Sequence, residues 1–303
     1  MSVIEKSTLP NLIYRGKIRD THDVGNDVLL MVATDRISAY DVVLPTAIPG
    51  KGAILSKLSE FWFKKTEHII PNHLLSADAL SKTLDTFRGE ADLGEIAKRA
   101  MLVKKAERID VECIVRGYIT GGAWSDYSKT GTVFGSEIKE KLVKGDKFPQ
   151  PIFTPTTKEE EGHDESITID QMKNMIGEDL TNRLQEVSLK MYNFAHDFAL
   201  SKGIIIADTK LEFGFINGEL SIIDELLTPD SSRFWDLAEY APGIDVPNFD
   251  KQFVRDWLDN EGWDHSPPAP ALPEEVVNST VKKYKEAQEK LSLIHISEPT
   301  RPY

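Results

Sequence analysis

The sequence predicts a fold of mixed α and β structure, and three of its features carry the prediction. In the first hundred residues, short apolar runs alternate with polar turns, as is typical of strands. Over residues 177–203, apolar side chains recur at alternating four- and three-residue steps, which predicts a long helix with one core-facing side. Residues 203–233 then contain two apolar runs separated by Asn217-Gly218, a strong signal for a β-hairpin.

The remaining N-terminal elements follow from the same periodicities. Strands are predicted over residues 11–15, 28–34 and 101–107, and helices over residues 54–68 and 92–99. A small sheet with helices packed on it therefore accounts for the first hundred residues.

The C-terminal part is predicted to be helical over residues 249–258 and 274–291. Residues 148–167 are rich in Pro, Thr and acidic side chains, so they cannot be regular structure throughout, and a long loop of this kind is commonly functional. Residues 291–303 read like the translation of a sequencing adapter, and we predict that they form a loosely packed, non-native tail.

Composition limits the possible functions. The chain of 303 residues is long enough for two domains or for one large domain with a substantial core, and its net charge of −13 argues against a surface for nucleic acid or an anionic membrane. The one cysteine, Cys113, excludes an internal disulfide, and its apolar neighbours predict a buried core position. Since no signal peptide and no membrane-spanning apolar run is found, we expect a cytoplasmic protein.

The hairpin carries an unusual charged face. Asp208, Lys210 and Glu212 alternate with uncharged residues, so in a strand their side chains point to one side. Burying such a face costs free energy unless charged ligands compensate it. A divalent cation and a phosphorylated substrate would do so.

The turn of the hairpin decides where Asp224 lies. A two-residue loop of Asn217-Gly218 sets Glu212 opposite Ile223 and turns Asp224 to the other face. A three-residue loop, with Gly218 as the bulge residue, sets Lys210 opposite Asp224 and leaves Glu212 diagonal to it, within reach of one metal ion. We predict the three-residue loop.

Basic side chains mark further candidate sites. Gly16 lets the backbone approach a ligand closely, and Lys17 and Arg19 offer positive charge to a phosphate, although a solvated turn explains the same residues. Arg116 ends an apolar strand and requires an anionic partner, which is either a ligand or a protein carboxylate. The turn at residues 228–233 offers hydroxyls, N–H groups and an arginine, which together suit a phosphate.

Six long motifs resemble those of one family. They are GKIRD at 16–20, TDRISAYD at 34–41, VRGYITG at 115–121, FTPTTKEEEGHDE at 153–165, ADTKLEFG at 207–214 and DELLTPDSSRFW at 224–235. In this order they resemble the SAICAR synthetase family in its fungal-type form. The resemblance implies a two-lobed α+β fold, kinase-like or ATP-grasp-like. It has a small antiparallel-sheet lobe for ATP over residues 1–108 and a larger α/β lobe for substrates and metal over residues 109–290.

The resemblance also implies a reaction. The family joins the carboxylate of carboxyaminoimidazole ribonucleotide (CAIR) to the amine of L-aspartate in purine biosynthesis, giving SAICAR, ADP and phosphate. Because a carboxylate is a poor electrophile, ATP must first convert it to an acyl phosphate. Phosphoryl transfer between anions requires Mg²⁺ and positive side chains. We expect small-molecule partners and a monomer or small homo-oligomer.

Roles are implied for the matching residues. Glu212 and Asp224 would bind Mg²⁺, Lys210 would contact the substrate carboxylate or the transferring phosphoryl group, and Asp208 would orient Lys210. Contacts to ATP are implied for Gly16, Lys17, Arg19, Lys104 and Glu107. Contacts to the ribonucleotide phosphate are implied for Arg116, Ser232 and Arg233, contacts near its imidazole for Ser38 and Asp41, and contacts on the aspartate side for Lys158, His163 and Asp164.

One position departs from the family pattern. Gly122 stands where the family commonly has serine, so a hydroxyl that bonds the substrate phosphate is missing, and we expect weaker substrate binding. Two rival functions stay open. A small-molecule kinase would not need an amine acceptor, and a catalytically silent binding protein would release no ADP.

Overall fold

The computed structural model describes residues 2–138, 140–158, 165–244, 246, 248–249 and 251–292. Its strands, in chain order, are β1 (Leu12–Arg15), β2 (Arg19–Asp23), β3 (Val28–Ala33), β4 (Ser38–Ala39), β5 (Val42–Val43), β6 (Ala100–Lys104), β7 (Glu107–Tyr118), β8 (Thr132–Val133), β9 (Ser136–Glu137), β10 (Lys147–Thr157), β11 (Ile204–Ile216), β12 (Glu219–Ile223) and β13 (Ser232–Asp236). Its helices are α1 (Lys51–Thr66), α2 (Ala77–Asp85), α3 (Leu93–Ala97), α4 (Gly121–Thr130), α5 (Ile169–Ile176), α6 (Glu178–Leu200), α7 (Gln252–Asn260) and α8 (Glu274–Ser292).

Two antiparallel sheets organise the chain. The first has the order β1-β2-β3-β6, and the second has the order β10-β7-β11-β12, with β13 also pairing β11. The predicted α+β architecture is confirmed. The two sheets divide between Lys104 and Glu107, beside the predicted boundary at residue 108, and this part of the chain connects the small sheet to the larger one.

One hydrophobic core joins the two sheets. Helix α1 buries Leu58 and Trp62 in the same cluster as β7, β11 and the predicted apolar side of α6, which includes Leu184 and Met191. Cys113 lies in this core, and burial raises the pKa of its thiol to about 12, as expected for an inert core cysteine. Since residues from both sheets share the cluster, the domain division stays a prediction.

The segment at residues 148–167 is more regular than the sequence indicates. Its first half belongs to β10, which lies at the edge of the second sheet and pairs only with β7 within that sheet's order. Pro149, Pro151 and Pro155 are tolerated there because an edge strand leaves alternate N–H groups without a ladder partner.

Three of the helices among the described residues, α2, α4 and α5, escaped the sequence-based prediction. Helix α5 has a capping box at Thr168 and Gln171, a signal that is present in the sequence. Helix α4 begins at the two adjacent glycines Gly121 and Gly122, which disfavour helix and hide its start.

The C-terminal helix extends into the predicted tail. Leu291 is buried in the main core and Ser292 ends α8, so loose packing does not apply to these first residues. Residues 293–303 lie outside the described part of the chain, and their non-native origin stays a prediction. Among the described residues, no helix has the length and apolar character to span a membrane.

Candidate active site

The register of three strands aligns charged side chains on one face of the second sheet. Glu212 of β11 is paired with Glu112 of β7, which is paired in turn with Thr156 of β10. Four residues away, Asp208 of β11 is paired with Arg116 of β7. Paired residues of adjacent strands share a face, so these two rows lie about 13 Å apart on the same surface.

The first row forms a carboxylate–lysine cluster, defined by Glu112, Glu212, Lys158 and Lys210. Lys210 Nζ lies 2.6 Å from Oε1 of both glutamates. Lys158 Nζ lies 2.8 Å from Glu112 Oε1 and 2.9 Å from Glu212 Oε1. Two glutamates directly opposite each other would repel, so the lysines are what make this arrangement stable.

The protonation states of this cluster follow from its charges. Burial raises the pKa of Glu212, but Lys210 and Lys158 outweigh burial and hold that pKa well below its usual range. Burial lowers the pKa of Lys210, but Glu212, Glu112 and Asp224 outweigh it and raise that pKa well above its usual value. Both groups are therefore charged at neutral pH.

The predicted three-residue turn is wrong. Ile216 pairs with Glu219 and Glu212 pairs with Ile223, so the loop consists of Asn217 and Gly218 alone. Both have positive φ, of 52° and 80°, as a type I′ turn requires, and Asn-Gly is the sequence that adopts it most readily.

The turn does not carry Asp224 away from Glu212, because the strand ends just before Asp224. Its backbone is left-handed, with φ of 63°, so the alternation of faces stops at Ile223. Its carboxylate interacts electrostatically with Glu212 and Lys210. Burial raises the pKa of Asp224, Arg19 opposes this, and Glu212 and Glu225 add to it. Burial is therefore the main reason that the charged form of Asp224 is disfavoured.

Arg19 is engaged by these carboxylates rather than exposed on a loop. Its Nη2 lies 2.8 Å from the Asp224 carboxylate and 3.1 Å from Glu225 Oε1. It belongs to β2 of the first sheet, so this ion pair connects the two sheets. The expected direct contact of Arg19 with a nucleotide phosphate competes with these bonds.

The second row forms an arginine cluster, defined by Asp208, Arg116 and Arg233. Arg116 Nη1 lies 3.0 Å from Asp208 Oδ2, and Arg233 Nη1 bonds the same oxygen. Arg116 Nε also donates to Thr154 Oγ1 at 2.9 Å. Two guanidinium groups therefore converge on the same carboxylate oxygen.

Helix α4 begins beside this cluster. Gly121 has φ of 52°, and a Cβ atom there would lie 2.4 Å from Arg233 Nη2, so glycine is required. The free N–H groups of the first helical turn add a partial positive charge to the two arginines.

The turn that precedes β13 lines a cavity of about 100 Å³. Ser231, Ser232 and Arg233 contribute to its wall together with Lys251 and Arg255. Ser232 Oγ lies 2.8 Å from Thr209 Oγ1, which fixes the serine on the strand. Hydroxyls and three cations around a small space are suited to a phosphate group.

Hydrogen bonds from Arg36 fix the Gly16–Arg19 loop. The Arg36 side chain donates to the carbonyl oxygens of Gly16 at 2.9 Å and Lys17 at 3.1 Å, and to Asp20 Oδ1 at 2.8 Å. Lys17 forms an ion pair with Asp41, and both side chains are about half exposed.

The remaining predicted site residues lie outside the two clusters. Ser38 is half-buried at the start of β4. Lys104 and Glu107 are exposed at the connection between the sheets, and the N–H of Lys104 donates to His73 O at 2.8 Å. His163 and Asp164 lie outside the described residues.

Sequence reasoning missed three groups. Glu112 is the second carboxylate of the carboxylate–lysine cluster, and its signal was a charged residue four positions before Arg116 in an apolar strand. Arg36 lies in the motif at 34–41, but no local pattern indicates that it bonds the carbonyl oxygens of the Gly16–Arg19 loop. Asp230 is fully buried and bonded by Lys51 Nζ at 2.7 Å and Lys251 Nζ at 3.1 Å, which no local pattern indicates.

This fold and the two clusters define an enzyme class that handles small anionic substrates on one face of a sheet between two lobes. The sequence matches SAICAR synthetase over residues 12–270. The chain belongs to the SAICAR synthetase family, ATP-dependent ligases of purine biosynthesis.

Individual relatives agree with this assignment. A phosphoribosylaminoimidazole-succinocarboxamide synthase of Elusimicrobium minutum is 51% identical over 276 residues, covering 91% of this chain and 94% of its own length. The SAICAR synthase of Saccharomyces cerevisiae, solved in complex with SAICAR, is 44% identical with a TM-score of 0.87, covering 96% of this chain and 98% of its own. A SAICAR synthetase solved in complex with ADP is 26% identical with a TM-score of 0.66, covering 92% and 97%.

Proposed function

We propose that the chain condenses CAIR with L-aspartate at the expense of ATP, through an acyl phosphate, and that the residues on this sheet face carry the reaction. The observation that supports the assignment of roles is the pair of clusters on one face, one built on carboxylates and lysines and the other on two arginines. Phosphoryl transfer needs carboxylates for a cation at the reacting centre and positive groups for the substrate phosphate.

The first step transfers a phosphoryl group to the substrate. A carboxylate oxygen of CAIR attacks the γ-phosphorus of ATP, the bond to the bridging oxygen breaks, and ADP leaves. Lys210 and Lys158 are charged and adjacent to the carboxylates, so they offset the repulsion between the anions that react.

The second step forms the amide. The amine of aspartate attacks the acyl carbon, phosphate leaves with the C–O bond electrons, and the amine loses a proton. Lys158 is the described candidate for holding a carboxylate of aspartate, since it lies at the end of β10 beside the segment that contains His163 and Asp164. Those two residues stay proposed contacts.

The residues present fit Mg²⁺. Glu212 is a buried carboxylate and Asp224 a partly buried one, and burial, with Glu212 and Glu225 adding to it, raises the pKa of Asp224, so a bound cation would stabilise its charged form. No group of three or more His, Cys, Asp or Glu side chains that could hold a metal occurs among the described residues. Two carboxylates suffice for Mg²⁺, which takes its other ligands from phosphate oxygens and water. When bound, it would neutralise the charge that develops on the phosphates.

The arginine cluster is proposed to hold the ribonucleotide phosphate. Arg233, Arg116 and Ser232 converge beside the cavity and the first turn of α4. Asp208 bonds both arginines, so we propose that it orients them, whereas the resemblance implied that it orients Lys210. Ser38 and Asp41 are proposed near the imidazole ring.

The nucleotide is proposed to lie between the lobes. The loop from Gly16 to Arg19 covers the phosphates through Lys17, and Arg36 fixes the loop's carbonyl groups. The connection from Lys104 to Glu107 lies where the adenine contacts are proposed. We further propose a cytoplasmic enzyme that is a monomer or small homo-oligomer.

Aspartate dependence tests this function directly. ADP release is measured with purified enzyme, ATP, Mg²⁺ and CAIR, with and without L-aspartate, and SAICAR is quantified in parallel. We expect ADP and SAICAR in equal amounts only when aspartate is present. Multiple turnovers of ADP without aspartate would indicate a kinase, and no ADP under any condition would indicate a binding protein.

A further inference from the structure

The short hairpin of β4 and β5 has an unusual turn. Ser38 pairs with Val43 and Ala39 pairs with Val42, so Tyr40 and Asp41 alone form the loop. Both have left-handed backbones, with φ of 51° and 64°. A two-residue turn of this kind is normally formed by Asn and Gly, because a Cβ atom makes the left-handed region unfavourable. A tyrosine in the first position therefore needs support from elsewhere.

That support comes from the far end of the chain. Tyr40 Oη bonds both carboxylate oxygens of Asp259, at 2.9 and 2.8 Å, and Asp259 lies in α7. The Tyr40 ring stacks on the His265 ring, with centroids 3.7 Å apart and an angle of 13° between planes. His265 Nε2 in turn lies 2.9 Å from Asp259 Oδ1, and the Trp263 ring completes the group.

The tyrosine is a stable hydrogen-bond donor. Burial raises the pKa of its hydroxyl to about 12, and the bond to Asp259 adds to this. Tyr40 therefore keeps its proton throughout the neutral range and donates to a charged acceptor, the stronger kind of hydrogen bond.

The turn also reaches the loop over the nucleotide. Asp41, the second turn residue, is paired with Lys17. A shift in the backbone of the Tyr40-Asp41 turn would thus move Asp41 and change the position of Lys17. The anchored tyrosine, the strained turn and the basic loop form one continuous chain of contacts.

We infer that Tyr40, anchored by Asp259 and His265, is a positioning residue that holds the 38–41 turn in its left-handed conformation for substrate binding. The inference rests on the proposed function, which assigns Ser38 and Asp41 to the ribonucleotide and Lys17 to ATP. The inference assigns a role in substrate binding to the segment after α7 that contains His265, although this segment belongs to neither cluster.

Four variants of the full-length enzyme test the inference. Tyr40→Phe removes the bond to Asp259 and keeps the ring stack, and Asp259→Asn weakens the same bond from the other side. Tyr40→Ala and Tyr40→Asn both remove the anchor, but Asn adopts left-handed backbone more readily than Ala. Tyr240→Phe is the matched control, because it also removes a tyrosine hydroxyl bond, of 2.9 Å to Gly145 O, and this bond involves neither the 38–41 turn nor α7.

The readout is the KM for each substrate against kcat. We expect Tyr40→Phe and Asp259→Asn to raise the KM for CAIR about fivefold to tenfold, with kcat within about twofold and a smaller rise in the KM for ATP. Tyr40→Ala should have the larger effect, and Tyr40→Asn should lie between Ala and wild type. The control should match wild type, and melting curves establish that each variant is folded.

Two results would overturn the inference. One is wild-type KM values in Tyr40→Phe and Asp259→Asn, and the other is equal behaviour of Tyr40→Ala and Tyr40→Asn. The wild-type enzyme separates failure of this inference from failure of the proposed function. If the proposed function is wrong, the wild-type enzyme releases no ADP in response to aspartate. In that case calorimetric binding of ADP and SAICAR to the same variants decides the positioning role.

Discussion

The two charge clusters use the same strands and differ in the groups that form them. Around the carboxylate–lysine cluster, four carboxylates (Glu112, Glu212, Asp224 and Glu225) face three cations (Lys158, Lys210 and Arg19). In the arginine cluster, two guanidinium groups bond the carboxylate of Asp208. One cluster is thus suited to a cation and the other to an anion, only four residues apart along β11.

The pKa shifts of one cation in each cluster differ in the same way. Lys210 is surrounded by carboxylates that raise its pKa well above the usual value in spite of burial. For Arg116, burial and the neighbouring Arg233 lower the pKa against the opposing effect of Asp208. A cation whose charged form is disfavoured by its surroundings is stabilised when an anion binds. This difference in surroundings supports the proposal that the arginine cluster, and not the carboxylate–lysine cluster, binds the substrate phosphate.

The largest effect is expected from Glu212→Gln. The variant keeps the shape of the side chain but removes the negative charge proposed to bind Mg²⁺, so kcat should fall about a thousandfold. The coupled ADP assay measures this over a range of Mg²⁺ concentrations. Glu219→Gln is the control on the same hairpin, where the glutamate is exposed, and it should keep wild-type kcat. A Glu212→Gln enzyme of normal activity would refute the metal role.

Asp230→Asn should have the next largest effect, and it acts on stability. The variant leaves Lys51 and Lys251 buried without their carboxylate, which should cost about 3 kcal/mol of unfolding free energy. Urea denaturation at neutral pH measures this. Asp236→Asn breaks a more exposed ion pair with Lys290 and should cost less than about 1 kcal/mol. Equal losses of unfolding free energy in the two variants would contradict the larger contribution expected from the buried ion pairs of Asp230.

The pH dependence of this effect has a definite sign. Burial raises the pKa of Asp230, but Lys251 and Lys51 outweigh it and the pKa lies well below its usual range. The carboxylate therefore contributes stability above its unfolded pKa of about 4, and this contribution is lost as the pH falls through the folded value. The difference in stability between wild type and Asp230→Asn should shrink in acid.

A smaller effect is expected from Arg233→Lys. Lysine keeps the charge but loses the planar fork, so the KM for CAIR should rise about tenfold while the KM for ATP is unchanged. Arg108→Lys is the control, since Arg108 forms an exposed pair with Asp110. If both KM values rose equally, the arginine cluster would not be specific to the ribonucleotide.

The smallest effect is expected from Gly122→Ser. A Cβ atom at Gly122 would meet only Phe134 Cζ, at an ordinary 3.5 Å, so the serine common in the family fits. An added hydroxyl beside the substrate phosphate should lower the KM for CAIR about threefold. Gly121→Ser is the contrasting variant, because its Cβ atom would collide with Arg233 and raise that KM. An unchanged KM in Gly122→Ser means that the missing hydroxyl has no effect on binding.

Much of the site could be predicted because strand alternation is a local property. Asp208, Lys210 and Glu212 share a face in any regular strand, and the Asn-Gly turn between β11 and β12 follows from the preference of those residues for positive φ. The choice of a longer loop failed for an instructive reason. It assumed that Asp224 continued the strand, whereas Asp224 itself leaves the regular conformation.

The chain by itself therefore determined the helices and strands with strong periodicity, the charged face of β11, the presence of a hairpin at Asn217-Gly218 and the family. These depend on side-chain spacing and on backbone preferences of neighbouring residues. Only the tertiary structure decided that Glu112 lies opposite Glu212, that Arg19 binds Asp224, and that Asp259 anchors Tyr40. These contacts join residues far apart in the chain, and they are fixed by strand register and by the packing of the two lobes on one core.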